Sequence, residues 1–321
     1  MATTHLVTGV PSFLGERVVS SILEDPDARV ICLVSEGTPP NEFRGFGDGR
    51  VECMEGRTAS MHLGLSSAEY RRLRREVHFI HHLPRLDATP AEVEQGVENV
   101  LELAGECDSL ERLVHVSPTR TRLPLSAART FGRLRSRIEA RVEAAMERLP
   151  LTVFRPQRVL GDSRTGEFEP GNIPVDLALR WAIPPFPVPL PGPGFDDLPF
   201  QAVPADWVAR TALRLGRDAS TRGKVVRLLD PDPVPVGWVW REVARRLGRR
   251  SPAPLRALLG LAALPGGLFR PWAEARQEGA AWTGDAERCP SLPTYLDRLL
   301  AWAAAQLSRR ETLLPSTDPS V

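Results

Sequence analysis

The segment Thr8–Gly15 offers the clearest chemistry in the sequence. It reads Thr-Gly-Val-Pro-Ser-Phe-Leu-Gly and lies between an apolar run, His5–Thr8, and an amphipathic run, Phe13–Leu23. A strand that turns into a helix at such a segment directs backbone N–H groups and the positive end of the helix dipole toward one point, which suits a pyrophosphate. The pattern predicts a phosphate-binding loop that uses Thr8, Gly9, Ser12, Phe13, Leu14 and Gly15.

Phenol and ammonium groups are too rare in this chain to form the common proton relay of carbonyl reduction. The sequence holds two tyrosines, Tyr70 and Tyr295, and one lysine, Lys224. A tyrosine four residues before a lysine would place both groups on one helix face, where the ammonium lowers the pKa of the phenol. Neither tyrosine stands in that position, so the sequence predicts no such pair.

The sequence lacks the motifs of several other kinds of functional site. There is no Gly-x-Ser-x-Gly elbow and no Gly-x-x-x-x-Gly-Lys loop. His78 and His82 could share a strand face, but no third ligand accompanies them, and the four cysteines form no Cys-x-x-Cys pair. We therefore expect neither a metal site nor a disulfide framework.

Short apolar runs alternate with amphipathic ones through the first half of the chain, which predicts parallel strands joined by helices. The fold class is an α/β, Rossmann-type, doubly wound parallel sheet with a smaller, mainly helical C-terminal lobe. We expect the nucleotide-binding core in residues 1–165 and about 199–230, the smaller substrate lobe in 166–198 and 231–307, and a mobile tail in 308–321. Phe200–Val203 and Lys224–Leu229 are predicted to return to the main sheet.

The charge balance limits the partners. Forty-one basic residues face 40 acidic ones, for a net charge of +1, whereas a nucleic-acid or anionic-membrane surface needs a basic excess. No apolar run reaches the ~20 residues of a membrane span, and the first residues lack a leader pattern. We expect a cytoplasmic protein that binds small molecules, anionic or acyl, and neither nucleic acid nor membrane.

Several further segments resemble one family in their order and spacing. They are Leu63–Ser66, Asn99–Ala104, Leu113–Ser117, Phe154–Pro156 and the string Gly-Asp-Ser-Arg-Thr-Gly at 161–166. Together with the loop they resemble the extended short-chain dehydrogenases and reductases, in the thioester-reductase and fatty-acyl-reductase branch. The resemblance implies a dinucleotide cofactor, NADP or NAD, and pairing into a homodimer through a helix-packing surface.

Measured against this family, the cofactor positions have changed. Ser12 stands where the middle glycine of the loop belongs, and we expect its side chain to crowd a bound phosphate or the turn. Ser35 follows the second strand, where the family places an arginine or an acid. Arg57 replaces the acid of the Gly-Asp pair after the third strand, and His82 ends the fourth. These changes weaken the predicted dinucleotide site.

The resemblance also locates the catalytic positions. Aligning Ser136–Ala140 with the family's Ser-Lys-x-Glu-Ala puts Arg133 at the tyrosine position and Arg137 at the lysine position. Pro118 replaces the serine or threonine that orients the carbonyl, and Val93 replaces an asparagine. An arginine stays protonated and donates protons poorly, so the substitutes to consider are Ser117, Thr119 and His115.

Two questions stay open at this point. Arg133 and Arg137 could anchor a carboxylate or phosphate, or they could belong to a solvated arginine-rich helix. The chain could be a non-redox, ligand-binding relative that has lost hydride transfer, a pseudo-oxidoreductase. Alternatively it could be a divergent NAD(P)H-dependent reductase of an acyl thioester or aldehyde, with water or a histidine as proton source, or an accessory subunit that dimerises.

Overall fold

A computed structural model describes residues 3–38, 48–84, 89–117, 128–168, 197, 199–246 and 288–311. These residues fall into two compact units. The first contains the described parts of 3–159 and 205–229 together with Arg288, and the second contains the described parts of 160–204, 230–246 and 289–311. Each unit has its own apolar core.

The first unit is built on a sheet of seven strands. They are β1 (Thr3–Thr8), β2 (Ala28–Val34), β3 (Val51–Glu55), β4 (Phe79–His82), β5 (Arg112–Val116), β6 (Leu151–Pro156) and β9 (Lys224–Leu228). Its helices are α1 (Phe13–Ile22), α2 (Ser67–Glu76), α3 (Pro90–Glu106), α4 (Ala128–Ala145) and α5 (Ala205–Arg217). A further strand, β7 (Arg158–Val159), follows β6.

The seven strands run parallel in the order β3-β2-β1-β4-β5-β6-β9. This confirms the predicted Rossmann-type fold class. The strand order reverses between β1 and β4, and ligands of such sheets bind at the carboxyl ends of the strands beside that reversal. The predicted phosphate loop follows β1 at this point.

Apolar strands form the centre of the sheet because helices cover both of its faces. On one face, Leu6, Ile80 and Leu113 pack with Val97 of α3 and Ile138 of α4. Two helices on this side begin with a capping box, Ser66 with Glu69 and Thr89 with Glu92, which satisfies backbone N–H groups at their first turn.

The second unit contains a short strand, β8 (Ala202–Val203), and two helices, α6 (Val236–Arg246) and α7 (Leu292–Glu311). Its core includes Leu160, Phe168, Phe200, Val243, Tyr295 and Leu299. Strand β8 does not join the seven-stranded sheet, so the prediction that Phe200–Val203 returns to it was wrong. Pro199 and Pro204 bracket this stretch, and proline cannot donate a hydrogen bond to a neighbouring strand.

The Gly161–Gly166 string forms a turn in the second unit. Asp162 Oδ1 accepts hydrogen bonds of 2.9 Å from the N–H groups of Arg164 and Thr165. Gly166 has φ +75°, and a Cβ there would lie 2.2 Å from the carbonyl oxygen of Arg298. Only glycine fits this close approach. Helix α7 continues to Glu311, past residue 308, where we predicted the tail to start.

Candidate functional site

The loop after β1 is shaped by two glycines with different roles. Gly9 has φ +83°, and a Cβ on it would lie 2.0 Å from the carbonyl oxygen of Leu83. A Cβ on Gly15 would lie 2.7 Å from Cγ1 of Val10. Both glycines are therefore required by the close packing of this loop, as the family pattern implied.

Ser12 is the N-cap of α1. Its backbone is extended, with φ −156°, and its Oγ accepts a hydrogen bond of 3.1 Å from the N–H of Gly15. An extended residue does not need glycine's conformational freedom, so the expected crowding of the turn does not occur. The substitution instead fixes the first turn of the helix.

The start of α1 retains the features that hold a phosphate. The N–H groups of Phe13 and Leu14 lie in the first turn, where a helix has no internal acceptors and its dipole is positive. Glu16 brings a negative charge into the same turn, and Arg17 offsets it with an ion pair of 3.6 Å. The backbone at this point fits a dinucleotide pyrophosphate.

Ser35 and Arg57 lie beyond the carboxyl ends of β2 and β3. Ser35 is exposed, and its carbonyl accepts a hydrogen bond from Oγ1 of Thr38. Arg57 is 63% exposed and forms an ion pair with Glu92 of α3. The acid that the family places after the third strand is thus absent, but Glu92 brings a carboxylate to Arg57 from the neighbouring helix.

Thr8, His82 and His115 form a buried polar row across β1, β4 and β5. They are register partners, Thr8 with His82 and His82 with His115. Nδ1 of His82 lies 2.6 Å from Oγ1 of Thr8, and the two imidazole rings are 5.4 Å apart. Nε2 of each histidine is buried without a hydrogen-bond partner. His82 therefore lies under the loop, where it orients Thr8.

These histidines are poor proton donors. Burial, assisted by the charge of Arg155, lowers the pKa of His115 to about 3. Burial also lowers the pKa of His82 well below its ordinary value, and the neighbouring His115 lowers it further. Both imidazoles are neutral at pH 7. His115, predicted as a substitute acid, is 1% exposed.

The hydroxyl of Ser117, a predicted substitute in the catalytic site, is hydrogen-bonded to a carboxylate. Its Oγ donates a hydrogen bond of 2.7 Å to Oε1 of Glu139 on α4. The same oxygen accepts from Nε of Arg135 at 2.8 Å and lies 3.1 Å from Nε of Arg155. Burial would raise the pKa of Glu139, but the Ser117 hydroxyl and the two arginines outweigh it, and the pKa lies below its ordinary value.

Arg133 and Arg137 are not part of this network. Arg137 donates a hydrogen bond of 2.6 Å to Oε2 of Glu94 on α3, and Arg133 is exposed. The helix face toward Ser117 carries Arg135 and Glu139 instead, one turn apart. The sequence pattern did not single out this pair, although an arginine four residues before a glutamate on a helix signals an ion pair.

The remaining predicted positions divide into two groups. Val93 is 6% exposed and belongs to the apolar core of the first unit, so α3 presents a packing residue where the family has an amide. Pro118 and Thr119 lie outside the described residues.

The rare phenol and ammonium groups belong to elements other than the loop. Tyr70 lies on α2 and is 5% exposed, and burial and Glu106 raise its pKa. Tyr295 is fully buried in the core of the second unit. Lys224 is the first residue of β9, at the amino-terminal edge of the sheet, whereas the loop lies at the carboxyl edge.

Metal-binding clusters and membrane-spanning helices are both absent from the part of the chain that the structure describes. In this part, no three His, Cys, Asp or Glu side chains are grouped to hold a metal ion. No helix among these residues is long and apolar enough to cross a membrane.

Comparison with known proteins places these features in a family context. Residues 7–131 match the family described as Male sterility protein, a family of NAD-binding domains. Glycine betaine reductase ATRR of Emericella nidulans is 23% identical over 73% of this chain. The match covers 21% of that protein, so the chain spans about a fifth of the relative's length.

Solved structures share the fold along nearly the whole chain. The terminal R domain of the myxalamid PKS-NRPS pathway superposes with a TM-score of 0.72 at 22% identity, covering 95% of this chain and 91% of that one. The reductase domain of a nonribosomal peptide synthetase from Mycobacterium tuberculosis gives 0.65 at 19%, covering 95% and 92%. The enzyme WbmF of Bordetella bronchiseptica, solved with NAD+, gives 0.64 at 15%, covering 100% and 98%.

The resemblance predicted from the loop and the later motifs is confirmed: residues 7–131 match the NAD-binding family described as Male sterility protein, and the chain shares its Rossmann-type fold with reductase (R) domains and with the enzyme WbmF.

Proposed function

We propose that this chain binds NAD(P) at the loop after β1 but does not reduce carbonyl groups by the family's phenol and ammonium relay. It is then a non-redox, ligand-binding relative of the reductases. The observation that carries the proposal is the position of Lys224, the only lysine, at the amino-terminal edge of the sheet. One strand length, about 15 Å, separates that edge from the carboxyl edge.

The geometry of the loop supports the binding half of the proposal. Gly9 keeps the tight turn, and Ser12 caps the helix without blocking the N–H groups of Phe13 and Leu14. A bound dinucleotide would place its pyrophosphate at these groups. When bound, the cofactor supplies hydride chemistry, and the chain's own residues contribute binding and orientation.

The contacts of Ser117 support the second part of the proposal, that the chain does not use the family's proton relay. A hydroxyl that donates to Glu139 has no second proton with which to orient a substrate carbonyl. Arg135 and Arg155 carry guanidinium groups, which donate hydrogen bonds but are not used as general acids. None of these three side chains supplies a proton to a developing alkoxide.

A second candidate is a divergent reductase of an acyl thioester or aldehyde. The names of its relatives favour it, since a glycine betaine reductase and several R domains share the sequence or fold. In that case water would provide the proton, because His82 and His115 are buried and neutral. Turnover with an acyl thioester distinguishes this candidate from the first.

The anion-binding role of Arg133 and Arg137 stays a prediction. Arg137 already pairs with Glu94, which favours a structural role for it. If the two arginines hold an anionic ligand, replacing both by alanine will remove phosphate binding measured by calorimetry. Unchanged binding would assign them to the helix surface. Homodimer formation is likewise a prediction, and light scattering after gel filtration measures it.

The dinucleotide proposal is tested by a matched pair of variants at one position. Ser12→Asn and Ser12→Asp both supply good N-cap acceptors, but only aspartate adds a negative charge beside the pyrophosphate. At ~6 Å and an effective dielectric near 20, that charge costs about 2–3 kcal/mol, which is roughly a 30-fold to 140-fold loss of affinity.

Calorimetric titration with NADPH and NADH measures this difference. We expect binding to the unchanged chain and to Ser12→Asn, and a loss in Ser12→Asp. Equal affinities for the two variants would place the dinucleotide elsewhere, and no binding of either nucleotide to the unchanged chain would refute the proposal. A parallel assay with an acyl thioester is expected to show no consumption of NADPH.

A further inference from the structure

Two cysteines lie directly opposite each other on neighbouring strands. Cys32 of β2 and Cys53 of β3 are register partners in the parallel pair. Register partners point to the same face of a sheet, and neighbouring strands lie about 4.8 Å apart. This spacing is within the range of about 4.4–6.8 Å that Cα atoms of disulfide-bonded cysteines occupy.

The two thiols face each other across the strand pair and differ in accessibility. Cys32 is 0% exposed, and Cys53 is only partly buried on the edge strand. The hydrogen bond from Cys32 lowers the pKa of Cys53, and the same contact, with burial, raises the pKa of Cys32. Cys53 is thus the more accessible thiol and the one more readily present as a thiolate.

We propose that Cys32 and Cys53 form a reversible disulfide when the protein meets a peroxide. The Cys53 thiolate attacks one peroxide oxygen, which forms a sulfenic acid and releases hydroxide that is protonated to water. The Cys32 sulfur then attacks the Cys53 sulfur, forms the S–S bond and loses its proton, while the hydroxyl leaves as a second water. The two thiols are oxidised and the peroxide is reduced.

The position of the pair makes the bond selective. Cys107 follows α3, and burial raises its pKa to about 12, which leaves it protonated. Cys289 is buried in the second unit. Neither is a register partner of another cysteine in the described strands. Oxidation should therefore join Cys32 to Cys53 and leave the other thiols reduced.

The bridge would cross-link the edge of the sheet. Strand β3 ends the seven-strand order and pairs only with β2 in that sheet. The loop after β2 starts at Ser35 and continues with Glu36. The loop after β3 starts at Gly56 and continues with Arg57. A covalent link would hold these two loops in fixed register. Bridge formation does not depend on dinucleotide binding.

Mass spectrometry of the full chain tests the proposal. The reduced protein is treated with a small excess of hydrogen peroxide, unreacted thiols are blocked with N-ethylmaleimide, and the protein is digested. Before blocking, the intact mass of the oxidised protein should be lower than that of the reduced protein by two hydrogen atoms. After blocking, the oxidised protein should carry two fewer N-ethylmaleimide groups than the reduced one. The digest should contain a peptide pair linking Cys32 to Cys53 that separates on reduction.

Variants at the two groups of cysteines serve as controls. A chain with Cys107→Ser and Cys289→Ser should still form the bridge. Cys53→Ser, at the partly exposed position, should form none. Four blocked cysteines after peroxide treatment would overturn the proposal, and so would a bridge that includes Cys107 or Cys289. Circular dichroism before oxidation confirms that each variant is folded.

Discussion

Replacing Gly9 by alanine tests the structure of the loop most sharply, because two separate costs can be assigned. The first is conformational: at φ +83° a residue with a Cβ pays about 1–2 kcal/mol. The second is steric, since the new Cβ would lie 2.0 Å from the carbonyl oxygen of Leu83. Relieving such a contact moves β1 away from β4 and costs about 1–3 kcal/mol more.

Gly37→Ala is the matched control. Gly37 has φ +74°, close to the angle of Gly9, but no atom of the residues that the structure describes lies within 4 Å of the point that a Cβ would occupy there. This variant carries the conformational cost alone, about 1–2 kcal/mol. The expected destabilisation is therefore about 2–5 kcal/mol for Gly9→Ala, and the difference between the two variants is the cost of the contact with Leu83.

Urea unfolding followed by far-ultraviolet circular dichroism measures both free energies. Gly9→Ala should unfold at a clearly lower urea concentration than Gly37→Ala. Equal destabilisation of the two variants would refute the close approach of Gly9 to Leu83, and with it the shape of the phosphate loop.

Three further predictions concern stability. Ser12→Ala removes the cap of α1 and should lower the free energy of unfolding by about 1 kcal/mol, whereas Ser12→Gly should cost only a few tenths; urea unfolding distinguishes them. The pKa values of His5 and His115 fall from 6.5 to about 4 and about 3 in the folded chain. Below pH 6.5 the unfolded chain therefore binds protons that the folded chain does not. The free energy of unfolding should be at its full value above pH 6.5 and should fall from pH 6.5 toward pH 4. In His115→Asn this fall should be shallower, and urea unfolding curves at a series of pH values measure both. Glu139→Gln removes the charge that Arg155 faces and should cost about 1–3 kcal/mol, which thermal unfolding would register as a lower midpoint.

Much of the fold could be predicted because the strands are buried on both faces. Apolar runs such as Val30–Val34 and Leu113–Val116 become interior strands, and the glycines at 9 and 15 locate the loop between β1 and α1. These features depend on local sequence and on burial. They do not require knowledge of which distant residues meet.

The site was harder to predict because its contacts are distant in sequence. Ser117 and Glu139 are 22 residues apart, and nothing in the local pattern pairs them. The alignment put Arg133 and Arg137 at the catalytic positions, but the face of α4 that meets β5 depends on how the helix rotates in packing. That rotation places Arg135 beside Ser117, and it turns Arg137 toward α3.

Ser12 shows the same limit within a single loop. Ser12 stands where the family has a glycine, and from the sequence we expected its side chain to crowd a bound phosphate or the turn. Its extended backbone and its hydrogen bond to Gly15 make it a helix cap. The substitution was visible in the sequence, but its effect depended on a backbone angle that the sequence pattern does not specify.

The claim that the chain lacks hydride transfer is tested most directly with deuterium. The protein is incubated with NADPH that carries deuterium at the reactive position of the nicotinamide and with an acyl thioester, and the products are examined by mass spectrometry. Our account predicts bound nucleotide and no deuterated aldehyde or alcohol above the level without protein. Deuterium in either product, formed in proportion to the protein added, would contradict it.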